Sequence, residues 1–480
     1  MNDASSPPPA SLGRFAPPLV AATLALCFAG ATHLWGTSLR PDYAPDAQEL
    51  ARSLESGDLL RRLGFLTLAG CGVVGLAVGR AGEWRIPLLS RGAGFTGALL
   101  AGMFGWWAAS TLWSDDPALT ARRILVLGLY LLGVLGAARA LTGRQLAVAG
   151  VGAVSLHLIA GVAAEIGLRT FTPWRDEYRF SGTIHPNIQA LQLAAGLCGC
   201  VVLSGLFAKR TPGERTNAWW LLWGAVLLGF LVLTKSRTAT AGAVLAISLT
   251  GLTAASPATK LLSLAGGVAG GAGLLIAILL AGSDPTGELR DAALMGRTDQ
   301  QSSLSGRLPI WEAILPHIAE RPWLGHGYGA FWNLQRVDAI SDEVGWALSA
   351  SHSGWIESAA EVGLIGAGLM AALLLCGAGR AAGAILDPRR AGDPLPVFAV
   401  SLTLLLIANA FTEALIHDVR LVPFLLWACL AKLTVLRDRP PWPGLHAAGR
   451  PAVAAGGRET AWNQGAGPEP ADSQVRATHG

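Results

Sequence analysis

The chain has 480 residues, of which 52% are hydrophobic and only 14% charged, against about 25% charged in ordinary soluble domains. Its mean hydropathy is +0.45, so it cannot clothe a water-facing surface, and most of its outer face must meet lipid. The net charge of +4 comes without basic runs interleaved with stacking aromatics, and the six cysteines show no CxxC or Cys/His spacing; this argues against nucleic-acid binding, a disulfide framework and a metal site.

Residues 1–15 are rich in Pro, Ser and Ala and read as a disordered tail. Apolar runs of about 17–25 residues can cross about 30 Å of hydrocarbon. Twelve such runs, in round terms, lie near 17–37, 63–79, 93–112, 123–141, 146–167, 187–208, 218–234, 238–255, 260–281, 355–379, 395–414 and 420–436. The first carries Ala29-Gly30-Ala31, a small-residue pattern compatible with signal cleavage, but its single preceding arginine, Arg14, and the many later spans favour an uncleaved anchor. Gly75 and Gly79, spaced as GxxxG, and the glycine stripe at 266–273 read as close helix packing. The expected fold is an all-α polytopic bundle with nine spans over 16–281, one large polar loop over 282–354, three spans over 355–437 and a disordered tail over 438–480.

An even number of spans puts both termini on one side, together with Arg80, Arg85, Arg91, Lys209, Arg210, Arg215, Arg380, Arg389, Arg390, Lys432, Arg437 and Arg439. The positive-inside rule makes that side cytoplasmic. The opposite loops also hold arginines: Arg122, Arg123, Arg169, Arg175, Arg179 and Arg237. Insertion disfavours them there, so they read as residues kept for a task.

Within this frame, Trp113-Ser-Asp-Asp-Pro117 reads as a helix start with a capping Ser or Asp. Ser181-Gly-Thr-Ile-His-Pro-Asn187 opens another helix, with His185 and Asn187 either turn and cap residues or polar ligands. Lys235-Ser-Arg-Thr238 is too short for an ordinary loop between two spans. Arg237 there is either a snorkelling cation or a bidentate ligand for phosphate oxygens.

In the polar loop, Pro309 suits the first turn of a helix, and Ile310, Trp311, Ile314, Leu315 and Ile318 follow at helical spacing, so a short helix is expected on the membrane surface. Pro322 ends it. Glycines 325, 327 and 329 give a flexible turn, and Tyr328, Phe331, Trp332 and Trp346 an interfacial aromatic belt. The loop either joins two spans or carries chemistry. His352 favours chemistry: it stands just before a helix start, a position that suits a neutral general base. Glu357 and Glu361, i and i+4 on that helix, either orient the imidazole or cap and solvate the helix start. His326, inside the glycine turn, is a rival base.

Taken in order, Trp113-Ser-x-Asp-Pro117, His185-Pro-Asn187, Ser236-Arg-Thr-Ala239, Ser305-Gly-Arg307, Leu324-Gly-His-Gly-Tyr-Gly329 and His352-x-Gly-Trp355 with Glu357, Glu361 and Gly363-Leu-Ile-Gly366 resemble the O-antigen ligase and Wzy-type polysaccharide polymerase superfamily. The details around Tyr328 to Trp332 and His352 are similar to its exopolysaccharide polymerase branch. Ser353 departs from the Asn that many relatives carry after the histidine, which leaves the role of that position open.

The resemblance implies a GT-C-like bundle of the bacterial inner membrane with the large loop in the periplasm. It implies an undecaprenyl-diphosphate-linked glycan as donor, an acceptor glycan or lipid A core, inner-membrane lipid around it, flippase and chain-length partners, and neither cofactor nor metal. Arg237 and Arg307 would stabilise the departing diphosphate, and His352 would take the proton of the attacking hydroxyl, with inversion at the anomeric carbon. Glu357, Tyr328, Trp332, Trp355, Asn187 and His185 would contact substrate. Polymerase ranks first; an O-antigen ligase or a protein O-oligosaccharyltransferase differs only in acceptor. A transporter of glycolipid or another solute is the reading from another class, and it would make no new glycosidic bond.

Overall fold

The computed structural model describes residues 23, 59–78, 93–207, 216–255, 260, 307–390, 392–414, 416 and 418–434. The long elements among them are helices: α1 (Leu59–Val78), α2 (Ala93–Ala109), α3 (Pro117–Ala140), α4 (Gly143–Gly167), α5 (Pro186–Leu203), α6 (Ala218–Leu233), α7 (Arg237–Ala254), α8 (Arg307–Glu320), α9 (Leu334–Val344), α10 (Gly354–Leu386), α11 (Pro394–Ala410) and α12 (Leu421–Thr434). Short 3-10 turns follow α2 and α10. Nearly all of the first and ninth expected spans, both tails, Gly79, Ser305 and Gly306 lie outside the described residues.

Apart from α8 and α9, each helix falls on an expected apolar run. Of the described helices α3, α4, α5 and α10 are long and apolar enough to cross a membrane, and α6, α11 and α12 are shorter apolar helices; the chain is an all-helical membrane protein over the described residues. Local chemistry sets the starts. Asp116 caps α3 by accepting from Leu119 N, with Pro117 in the first turn. Thr142 and Gln145 form a reciprocal capping box on α4. His185 and Asp393 cap α5 and α11, each ahead of a proline.

Helices α5, α11 and α12 are buried on nearly every face, as expected of helices apolar all round. α1 and α6 turn Leu63, Leu66, Val73, Val74, Trp219, Leu222 and Val232 outward, apolar surface that lipid would cover. α1 and α3 touch backbone to backbone: a Cβ added at Gly72 would lie 2.3 Å from Leu132 O, and one at Gly136 2.3 Å from Gly72 O. Gly75 joins this contact, so the small residues pack helices as the sequence implies.

The run expected as one span from Trp355 is broken. Gly363 leaves helical geometry at φ 71° and ψ 178° within α10, and a Cβ there would lie 2.1 Å from Trp323 O. A broken helix frees backbone groups that must find partners. The 322–327 segment supplies them: His326 N donates to Ala360 O at 3.0 Å, Gly327 N to Glu361 O at 2.8 Å, and Leu364 N to Pro322 O at 2.8 Å. Trp106 Nε1 takes Val362 O at 2.9 Å. The glycine turn, expected to be flexible, is therefore seated in the break.

The loop also differs from expectation in where its apolar groups go. Ile310, Ala313 and Ile314 of α8 pack with Phe331, Trp332, Val337, Ile340, Leu348 and Ala360 in a small core of their own. The buried face of α8 thus meets protein rather than headgroups. Tyr328, Phe331 and Trp332 are buried as well; of the expected aromatic belt only Trp346 is exposed. The reason is α9, whose Asn333 cap and left-handed Gly345 terminus fold it back over α8.

Candidate functional site

The loop and the helix ends beneath it gather around one carboxylate, Glu413, in the short connection from α11 to α12. Glu413 is buried. Its Oε1 accepts from Asn187 Nδ2 at 2.6 Å and from Arg307 Nη2 at 2.8 Å. Its Oε2 lies 3.6 Å from His352 Nδ1. Burial alone would raise its pKa, but the close approach of His352 and the positive charges of His352, Arg307 and His185 outweigh it and hold the carboxyl below its usual range. The structure thus brings together Arg307, His352 and Asn187, with His185 close enough to feel the same charges.

Each partner is positioned by its own element. Arg307 is the first residue of α8. Asn187 opens α5, and its Oδ1 accepts from Arg179 Nη2 at 3.0 Å. Arg179 Nε also donates to Thr234 O at 3.0 Å, and Lys235, at a left-handed φ of 51°, reaches Asp176 O. These bonds tie the corner before α7, and hence the helix that starts with half-buried Arg237, to the loop that carries Asn187. Glu165 anchors that loop from α4, accepting from Ser181 N at 3.0 Å, Gly182 N at 2.7 Å and the Tyr178 hydroxyl.

His185 keeps an accessible edge, yet protein crowds it. That crowding pushes its pKa down to about 4 despite the opposing pull of Glu413, with His352, Arg179 and Arg420 adding to the fall. Its Nδ1 accepts from Asn187 N at 3.3 Å, which leaves the ring proton on Nε2. His185 is therefore a neutral donor beside the ionised Glu413.

His352 adopts φ 51°, a region non-glycine residues enter at a cost of roughly 1–3 kcal/mol and that is enriched at functional sites. The turn around it is over-determined. Ser351 Oγ donates to Ser353 O at 2.8 Å, Ser351 N to Glu357 Oε2 at 2.8 Å, and Trp311 Nε1 to Ser351 O at 2.9 Å. Ser353 caps α10 by accepting from Ile356 N, so here the residue after the histidine serves the helix start. The imidazole itself is 27% exposed.

The remaining expected contacts sit elsewhere. Glu357 holds Ser351 and accepts from Trp332 Nε1 at 2.7 Å, so it braces the turn from below rather than touching the imidazole. Tyr328 is buried and stacked on Trp107 at 5.0 Å. Trp355 packs on Phe411, with a buried indole N–H that finds no hydrogen-bond partner among the described residues. His326, the rival base, is 2% exposed, bonded through Nδ1 to Asp115 Oδ2 at 2.8 Å and through Nε2 to His317 O at 3.0 Å. Asp115 also takes Arg321 at 2.8 Å and Arg336 at 2.6 Å. Glu413 is the residue sequence reasoning missed; an acid at the edge of a span was the signal that could have found it.

Residues 222–371 match the family described as O-antigen ligase (Wzy_C). The chain is also 27% identical to the exopolysaccharide production protein ExoQ of Rhizobium meliloti (strain 1021) over 343 residues, covering 68% of this chain and 74% of that protein. The matched region contains Arg237, Arg307 and His352, and over it the chain is similar to the O-antigen ligase/Wzy-type family.

Proposed function

We propose that the protein is a membrane glycosyltransferase that joins undecaprenyl-diphosphate-linked repeat units into exopolysaccharide or O-antigen at the periplasmic face of the inner membrane. The observation that carries this reading is the convergence of Arg307, His352, Asn187 and His185 on one ionised carboxylate beneath the polar loop. Arg307 and Arg237 bind the donor diphosphate and offset the charge that builds as it departs. His352 takes the acceptor hydroxyl proton through Nε2, and the oxygen attacks the anomeric carbon from the face opposite the diphosphate, inverting it. Glu413 sets the imidazole from the Nδ1 side and stabilises it once protonated, and neutral His185 donates from Nε2 to a substrate oxygen. A diphosphate is a good leaving group, so no strong general acid is needed.

The name of the Rhizobium relative favours exopolysaccharide as the product. The family description favours a second reading, in which the acceptor is a lipid A core and the protein is an O-antigen ligase. Mass analysis of lipid-linked glycans from a strain lacking the gene separates them. Single repeat units stranded on the carrier support the polymerase; full-length chains stranded there support the ligase. An unchanged profile sinks both.

A further inference from the structure

Of the aromatic side chains expected to form a belt, Tyr328, Phe331 and Trp332 have gone into the core, while Trp346 stays 47% exposed. Tryptophan is highly buried on average, so a half-open indole is the informative case. What it stands beside is the candidate base. The Trp346 ring centroid lies 6.2 Å from that of His352, with 34° between the planes, and the imidazole is itself 27% exposed.

Both rings ride on the short connection from α9 to α10, and that connection is held at each end. Gly345 turns the chain at φ 85° and donates from its N to Ser341 O at 2.8 Å. Leu348 N donates to Ser341 Oγ at 3.1 Å, and the Leu348 side chain is buried in the small core with Ile310, Phe331 and Ile340. At the other end Trp311 Nε1 and Glu357 grip Ser351. The indole and the imidazole are therefore fixed relative to each other before any substrate arrives, which is the condition for placing a reacting group without a further entropy cost.

We propose that Trp346 is the platform for the acceptor's terminal sugar, which lies flat on the indole and turns its attacking hydroxyl to His352; this rests on the transferase reading above. The attacking hydroxyl belongs to a sugar ring remote from the acceptor's own carrier, so arginines that grip phosphate do not place it. An aromatic face does. The face of an indole is negative, and a pyranose has a face lined by C–H bonds that carry weak positive charge. The two surfaces attract and exclude water between them, while the sugar hydroxyls project sideways and stay free for other partners. Glu413 takes the Nδ1 side of His352, which leaves Nε2 for such a hydroxyl. The occupant is thus a pyranose with an open C–H face next to the hydroxyl that reacts.

The probe is the repeat-unit oligosaccharide freed from its carrier by mild acid, which has no diphosphate and can act only as acceptor. With the full-length protein in nanodiscs and lipid-linked donor held constant, W346L should raise the KM for this acceptor by roughly five- to tenfold, the size of one aromatic stacking contact. The KM for donor should not move. W346F, which keeps an aromatic face, should recover most of the loss. Leucine is as apolar as the membrane anchor it would replace, so an indole that merely anchors the loop in lipid predicts no change in W346L. Saturation-transfer NMR of the same oligosaccharide reads binding without turnover: the C–H protons of its terminal sugar should receive the most saturation in the wild type and lose it in W346L. A wild-type acceptor KM in W346L, a W346F as poor as W346L, or a change in donor KM alone overturns the proposal. No saturation of the terminal sugar in the wild type overturns it too. If that sugar is saturated through Trp346 but no glycosidic bond forms with any lipid-linked donor, the sugar platform stands and the transferase reading falls.

Discussion

Two carboxylates in this protein each gather cations and a histidine, and they do different things. Asp115 binds Arg321, Arg336 and His326; Glu413 binds Arg307 and Asn187 and faces His352. Burial opposes ionisation of both, and in both the basic neighbours win and lower the pKa. The contrast lies in the histidines. His326 is sealed, with both ring nitrogens engaged. His352 is partly exposed, strained at φ 51° and faces its carboxylate through one nitrogen only. A base needs a nitrogen that substrate can reach; a clasp needs both nitrogens occupied.

The sharpest way to break this comparison is to remove the open base and its cation. His352→Ala and Arg307→Ala should each lower glycan transfer by about 10²–10⁴-fold, the range for a general base or a charge-stabilising donor, while the protein still inserts. Arg307→Lys should not rescue, because a point charge cannot replace the planar fork. Wild-type transfer by both stably inserted alanine variants, measured on lipid-linked substrate, would falsify the assignment. Glu413→Gln keeps the shape and removes the charge. A hydrogen bond to a charged group is worth about 1.5–3 kcal/mol, so transfer should fall by roughly ten- to hundredfold, mainly in kcat and with a displaced pH profile. A fall in thermal stability with an intact pH profile would instead mark Glu413 as a clasp like Asp115.

Much of this contrast was legible in the sequence, and the illegible part has physical reasons. Polar residues in apolar surroundings announce themselves, so Arg237, Arg307, His352 and the His185-Pro-Asn187 turn stood out. The described helices matched the apolar runs because a membrane helix meets its backbone hydrogen bonds within itself. Glu413 did not stand out: it is one acid in a short connection, and its meaning comes from partners as distant in sequence as Asn187 and Arg307. The break at Gly363 was hidden for a similar reason, since its freed groups are satisfied by residues 322–327. The aromatic belt was misread because burial of Phe331 and Trp332 depends on α8 and α9 closing over them.

The Asp115 side of the comparison yields a smaller, opposite result. Asp115→Asn should lower stability by about 2 kcal/mol, the order expected for weakening charged hydrogen bonds, and leave turnover per folded molecule unchanged. Thermal unfolding and transfer assays on the same preparation decide it. A loss of turnover without loss of stability would mean that the His326 clasp reaches the reaction.

The smallest effect expected is a pH dependence, and it separates His185 from both hubs. An unfolded histidine binds its proton near pH 6.5, whereas crowding in the fold pushes His185 down to about 4. Between those values the unfolded chain holds more protons than the folded one, so stability rises with pH and falls toward acid. This contribution is fully present above about pH 6.5 and is lost as pH drops through about 4. Glu413, also held low, adds a loss of the same sign only at more acidic pH. The unfolding temperature of the wild type should therefore decline from near-neutral toward mildly acidic pH, and His185→Gln, which cannot titrate, should flatten that decline. Equal slopes in the two proteins would mean that His185 is protonated in the fold, and it could not then be the neutral donor placed beside Glu413.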